Sequence, residues 1–196
     1  MSLEFVNTLG TFTTCAIIAA TAIAAMVQLR HMRAGNQINA MLSIGEELSA
    51  KDFTDSWQLV QTRLLPALDD PEFRAFLVEA ARGGFQPASD DYVAMRRALL
   101  AVGNAYEELG ILVKNGIVDR TLFLDRYCWV ISNRWNLLQD VVGLNREASG
   151  QQGIWENFEY LAVLSEDFAR EHGSTYPKGV RRMPVRNPWP LEAVRS

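Results

Sequence analysis

Hydrophobic and polar positions divide the chain into three regions. In the first, residues 8–29 (TLGTFTTCAIIAATAIAAMVQL) run 22 positions without Asp, Glu, Lys, Arg or His. As a helix they would span about 33 Å at about 1.5 Å per residue, enough to cross a hydrocarbon layer of about 30 Å. A core helix of a soluble protein rarely goes so long without a charge. A cleavable signal peptide is the competing reading, because the run AIAA at 22–25 imitates a cleavage site. Such peptides open with positive charge, whereas Glu4 is the only charge before this segment.

The second region carries a helical period. Met32, Ile38, Met41, Leu42, Ile44 and Leu48 continue the first helix as a stalk, with Gly35 as a possible bend. Asp52 is the expected N-cap of a helix with Phe53, Trp57, Val60 and Leu64 on one face, and Pro66 is expected to end or kink it. Asp70-Pro71-Glu72 is a start signal: a capping acid, a proline in the first turn and a charge that suits the helix dipole. The Gly83-Gly84 pair closes that helix. Ser89 opens a longer one that Asn115-Gly116 ends, and Asp119 caps another that runs past Val142. After Gly150 and Gly153 a last helix is expected from Ile154 to about Glu171. No strand alternation and no internal repeat occur, so the fold class is all-α: a single N-terminal transmembrane helix, a cytosolic bundle of about five helices, and an extended tail.

The third region is that tail. Pro177, Pro184, Pro188 and Pro190 forbid a regular helix. The expected division is therefore an anchor over 1–33 (span 8–29), a helical domain over 34–173 and a Pro-rich tail over 174–196.

Charge sharpens this picture. Lys178, Arg181, Arg182, Arg186 and Arg195 against Glu192 give residues 176–196 a net +4, which leaves −8 on the rest of a chain totalling −4. An acidic body with a basic tail is not the profile of a nucleic-acid binder. Arg30, His31 and Arg33 follow the apolar run, so the positive-inside rule puts the N-terminus outside and the domain in the cytosol, at a bacterial inner membrane. Cys15 and Cys128 then lie in different phases and do not pair.

The span is only weakly apolar, since six Ala and five Thr fill most positions between the large side chains. Ala16, Ala20 and Ala24 recur every four residues on one face, a spacing that suits close packing on another membrane helix, from a larger complex or from a second copy. A simple Ala-rich anchor gives the same pattern.

Chemistry is sparse. His31 and His172 are the only histidines, and neither follows a Glu by three positions, so no bundle-type metal site is expected. His31, just past the apolar run, is as an interfacial residue preferred over a haem ligand. Glu107-Glu108 has no histidine partner. Asp69-Asp70, Asp90-Asp91 and Glu46-Glu47 read as helix starts or solvated charge. Cys128 reads as a buried structural thiol, with Arg126 the one basic neighbour able to activate it. Trp129, Trp135 and Trp155, with Tyr127, Phe158 and Tyr160, are expected mostly in the core. Trp189, held between two prolines, is either an anchor for a partner groove or a plug for its own domain.

The run VGNAYEELGILVKNGIVD at 102–119, then Phe123, Trp135, Arg146 and FEYLA at 158–162, resembles an uncharacterised bacterial domain family. That resemblance implies one N-terminal membrane helix and a cytosolic helical domain of unknown function, and it transfers no catalytic residue. The basic tail lies outside it. The expected role is a non-enzymatic accessory or scaffolding subunit of a larger inner-membrane complex, of respiratory or photosynthetic kind, with no cofactor. Partner contacts are expected through Ala16, Ala20 and Ala24 in the span. Arg181, Arg182, Arg186 and Trp189 in the tail would meet an acidic protein surface or anionic lipid. The alternative is a membrane-tethered sensing module that binds a small molecule in its bundle.

Overall fold

The computed structural model describes residues 3–84 and 87–186, with the side chains of Leu3 and Val6 left aside. These residues form six α-helices and, among them, no strand. Helix α1 (Leu3–Ser49) is 47 residues long and unbroken at Gly35. It is long and apolar enough to cross a membrane, and none of its most apolar stretch is buried. Phe12, Ile17, Ile18, Ile23 and Met26 are all exposed. Of the periodic stalk positions Met41 and Ile44 are buried in the core and Leu48 packs at its edge, while Met32, Ile38 and Leu42 remain exposed.

Helix α2 (Lys51–Asp69) starts just before the expected cap. Ala50 is its N-cap with no side-chain acceptor, and Asp52 lies in the first turn, where its charge still suits the dipole. Pro66 does not end α2, which continues to Asp69. The missing N–H deprives the Thr62 carbonyl of its usual helix bond, yet the last turn of α2 still forms. Asp70 then closes α2 and caps α3 (Pro71–Ala81), its side chain accepting from the Glu72 N–H at 2.9 Å.

Helix α4 (Asp90–Lys114) is capped by Ser89, and α5 (Arg120–Ser149) by Asp119, which accepts from the Leu122 N–H at 2.8 Å. Gly116 and Gly150 end these two helices at positive φ, 67° and 71°, where a side chain would be strained. Helix α6 (Glu156–His172) starts two residues later than expected, because Trp155 takes a left-handed conformation (φ 51°).

α6 packs against both α4 and α5, α2 covers another face of α4, and α3 lies on α5. Val60, Leu64, Phe73, Val102, Phe123, Ile131, Leu138, Phe158 and Leu161 are completely buried between them. Trp155 and Tyr127 join this core and Trp135 packs at its edge, but Trp129 is 63% exposed. The helical period explains it: Leu124, Tyr127, Cys128 and Ile131 point inward, so position 129 faces outward.

Side-chain contacts fix the direction of the helices. On α1, Ile38, Met41 and Leu42 share a groove with Leu122, Asp125 and Arg126 of α5. Further along, Arg134 of α5 lies against Phe53 and Trp57 of α2. Helix α5 thus rises in the same sense as the α1–α2 path. The chain then runs back against it, with Ile154, just before α6, beside Arg146 and Phe158 of α6 beside Trp135. The C-terminal ends of α4 and α6 and the start of α5 therefore share the end of the bundle nearest the apolar half of α1.

Candidate functional site

The residues of the run at 102–119 build a junction between α4 and the start of α6. Gly103, Asn104, Glu107 and Gly110 fall at helical spacing on one side of α4. A Cβ at Gly103 would overlap the indole of Trp155, and one at Gly110 would overlap the backbone of Asn157. Asn104 accepts from the Trp155 indole N–H at 2.9 Å. Tyr106 stacks on Phe158, ring centroids 4.8 Å apart.

Glu107 supplies what α6 lacks, for Trp155 offers no capping side chain. Its Oε2 accepts from the backbone N–H groups of Asn157 and Phe158 at 2.9 and 3.0 Å, and its Oε1 from the Asn157 amide at 2.6 Å. A carboxylate from another helix thus satisfies the orphan donors of the first turn and meets the positive end of the dipole. Arg146 closes the junction from α5, donating to the Ile154 carbonyl at 2.9 Å and pairing with Glu159 at 2.7 Å. These are structural roles, and the sequence signal for them was the Gly-Asn-x-x-Glu-x-x-Gly spacing.

Beside this junction α3, α4, α5 and the loop before α6 enclose a half-open groove of about 370 Å³. Leu77, Leu99, Val141 and Ile154 give it apolar walls; Arg96, Asn104, Glu107 and Asn145 are among its polar lining residues. Asn104 and Glu107 are committed to α6, which leaves Arg96 as the cation facing the groove.

Across the core the guanidinium of Arg134 lies 4.6 Å from the Trp57 ring centroid, 5.3 Å from Tyr106 and 5.5 Å from Phe53. Burial pushes its pKa down to about 10, and the three ring faces hold the charge in place of a carboxylate. Cys128 is buried, and desolvation raises its thiol pKa, which disfavours a thiolate nucleophile. His31 is exposed on α1, and His172 stacks on Phe168 at 4.2 Å. Among the described residues no three His, Cys, Asp or Glu side chains gather into a metal-binding set.

The residues proposed for partner contact are not brought together. Ala16, Ala20 and Ala24 lie exposed on α1. Around them Thr8, Thr11, Thr13, Thr14 and Thr21 each donate their hydroxyl to the carbonyl four residues earlier, so these side chains expose no free donor. Arg181, Arg182 and Arg186 are exposed in the tail. Between 174 and 182 the tail folds on itself: Tyr176 donates to the Arg181 carbonyl at 3.0 Å, and Arg182 donates to Ser174 at 2.9 Å while lying 4.7 Å over the Tyr176 ring. Trp189 lies outside the described residues.

Compared with known proteins, residues 15–164 match the model of a domain of unknown function, DUF4760, and the chain belongs to that family. The match takes in the whole α4–α6 junction and stops before the basic tail. No curated protein and no solved structure matches the chain.

Proposed function

We propose that this family member is a single-pass membrane protein that acts as a non-enzymatic accessory subunit, holding its helical bundle against the cytosolic face of a larger complex in the inner membrane. The observation that carries this reading is the exposure of the apolar half of α1. Among the described residues none of its most apolar stretch is buried, while its Thr hydroxyls are satisfied within the helix. Such a surface is stable in lipid or against another membrane helix, not in water. An uncharged run of 22 residues also exceeds the about 7–15 apolar residues of a signal peptide.

The Ala16, Ala20 and Ala24 face supports a helix partner, from another protein or a second copy, because small side chains let backbones approach closely. Arg30 and Arg33 support a cytosolic bundle. The basic tail supports contact with an acidic protein surface or anionic headgroups. Purification in mild detergent from cells expressing the chain at its native level tests the proposal. Larger membrane proteins are expected to co-purify, and an isolated monomer overturns the subunit role. The alternative, a tethered sensing module, draws support from the groove: apolar walls and the Arg96 guanidinium suit a small amphipathic acid.

A further inference from the structure

We propose that the end of the bundle formed by the 115–119 turn and the root of the basic tail is a docking face for an anionic bilayer surface. The inference rests on α1 spanning the membrane and adds a second contact between the chain and the same leaflet.

The argument begins with register. Leu122 lies in one groove with Ile38, Met41 and Leu42. Ile38 is only about 13 Å along the helix from Leu29, where the apolar run ends, at about 1.5 Å per residue. Helix α5 points the same way as α1, so the turn before it reaches back toward that boundary. The headgroup layer itself is about 5–7 Å deep. The turn therefore approaches the leaflet as a consequence of how α1 and α5 pack.

Its composition suits that position. Ile117 is 52% exposed at the tip, and Ile111 and Leu122 are exposed on the flanking helices. Arg120 stands exposed on one side; on the other is Lys114, also exposed, with its ammonium donating to the Asn157 side chain at 3.2 Å. The acids that α5 brings to this end are Asp119, whose carboxylate caps the helix, and Asp125, which lines the groove beside Arg126. α6 ends at the same face, bearing Glu166, the Asp167–Arg170 pair, Glu171 and His172. The tail that follows adds Lys178, Arg181, Arg182 and Arg186, with no acidic residue among 172–186. An apolar tip between cations, joined to a basic strand, fits a negatively charged interface: the side chains at the tip enter the headgroup zone and each cation gains from the surface potential.

Full-length protein in nanodiscs of phosphatidylcholine, with or without phosphatidylglycerol, tests this. Amide exchange of peptides covering 111–122 is expected to slow when phosphatidylglycerol is present, while peptides covering 150–154, at the far end, stay unchanged. The paired substitution Lys114→Gln and Arg120→Gln is expected to reduce the protection roughly tenfold. A fluorophore on Ile117→Cys, with Cys15→Ala, is expected to be quenched by brominated lipid, and one on Gln151→Cys is not. Equal exchange in both discs together with equal quenching at 117 and 151 overturns the docking face. Failure of the chain to enter the discs at all overturns the spanning reading on which it depends.

Discussion

Glu107 shows how one side chain changes meaning between sequence and structure. On α4 it is half of an acidic pair without a metal-binding partner; in the fold it caps a helix 50 residues away. Glu107→Ala is expected to destabilise the bundle by about 1–3 kcal/mol, because buried N–H groups lose their acceptor. Gly103→Ala is expected to cost a similar amount, about 1–3 kcal/mol, through overpacking against Trp155. Urea unfolding of the detergent-solubilised chain, followed by tryptophan fluorescence, measures both. Tyr92 and Asp70 provide a pH signature. Hydrogen bonding to Asp70, then burial, raises the Tyr92 phenol to about 12, and the same bond lowers the Asp70 carboxyl. The stabilisation from the raised phenol is complete below its ordinary value of about 10 and is lost as pH rises through about 12. That from the lowered carboxyl is present above the ordinary value of about 4 and is lost as pH falls through its depressed value. Tyr92→Phe is expected to flatten the alkaline loss and most of the acid one in melting temperatures measured across pH.

Among the elements, α1 gives the core little and the described part of the tail gives it nothing. α1 contributes only Met41, Ile44 and a few partly buried neighbours, and every described residue from Glu171 onward is exposed. Ending the chain after Gly173 is therefore expected to leave helix content and melting temperature unchanged while weakening association with membrane partners. A truncated chain that unfolds would show that the tail completes the core. Helix limits were legible wherever a cap acts on its own first or last turn, as at Asp70, Ser89, Asp119 and Asn115-Gly116. They were misjudged where the cap is remote or absent: α6 begins after Trp155 because Glu107 holds its first turn, and α2 begins after Ala50 without any side-chain cap.

For the whole molecule, the antiparallel packing of α5 with α4 and α6 gives the bundle a polarity relative to α1. It returns the C-terminus of α6, and with it the basic tail, to the end from which the apolar run departs. The family resemblance carried by residues 102–119 and 158–162 corresponds to real membership, and the structure assigns those residues to the α4–α6 junction rather than to a reacting centre. The sequence by itself determined the uncharged N-terminal run, the all-helical class and most helix ends, because each depends on composition or on groups within one helical turn. Only the tertiary structure decided that Trp129 faces outward, that Arg134 rests among three rings, that Glu107 caps α6 and which end of the bundle faces the apolar helix. Those depend on which faces meet across long separations in the chain, and a linear period specifies a buried face without naming its partner.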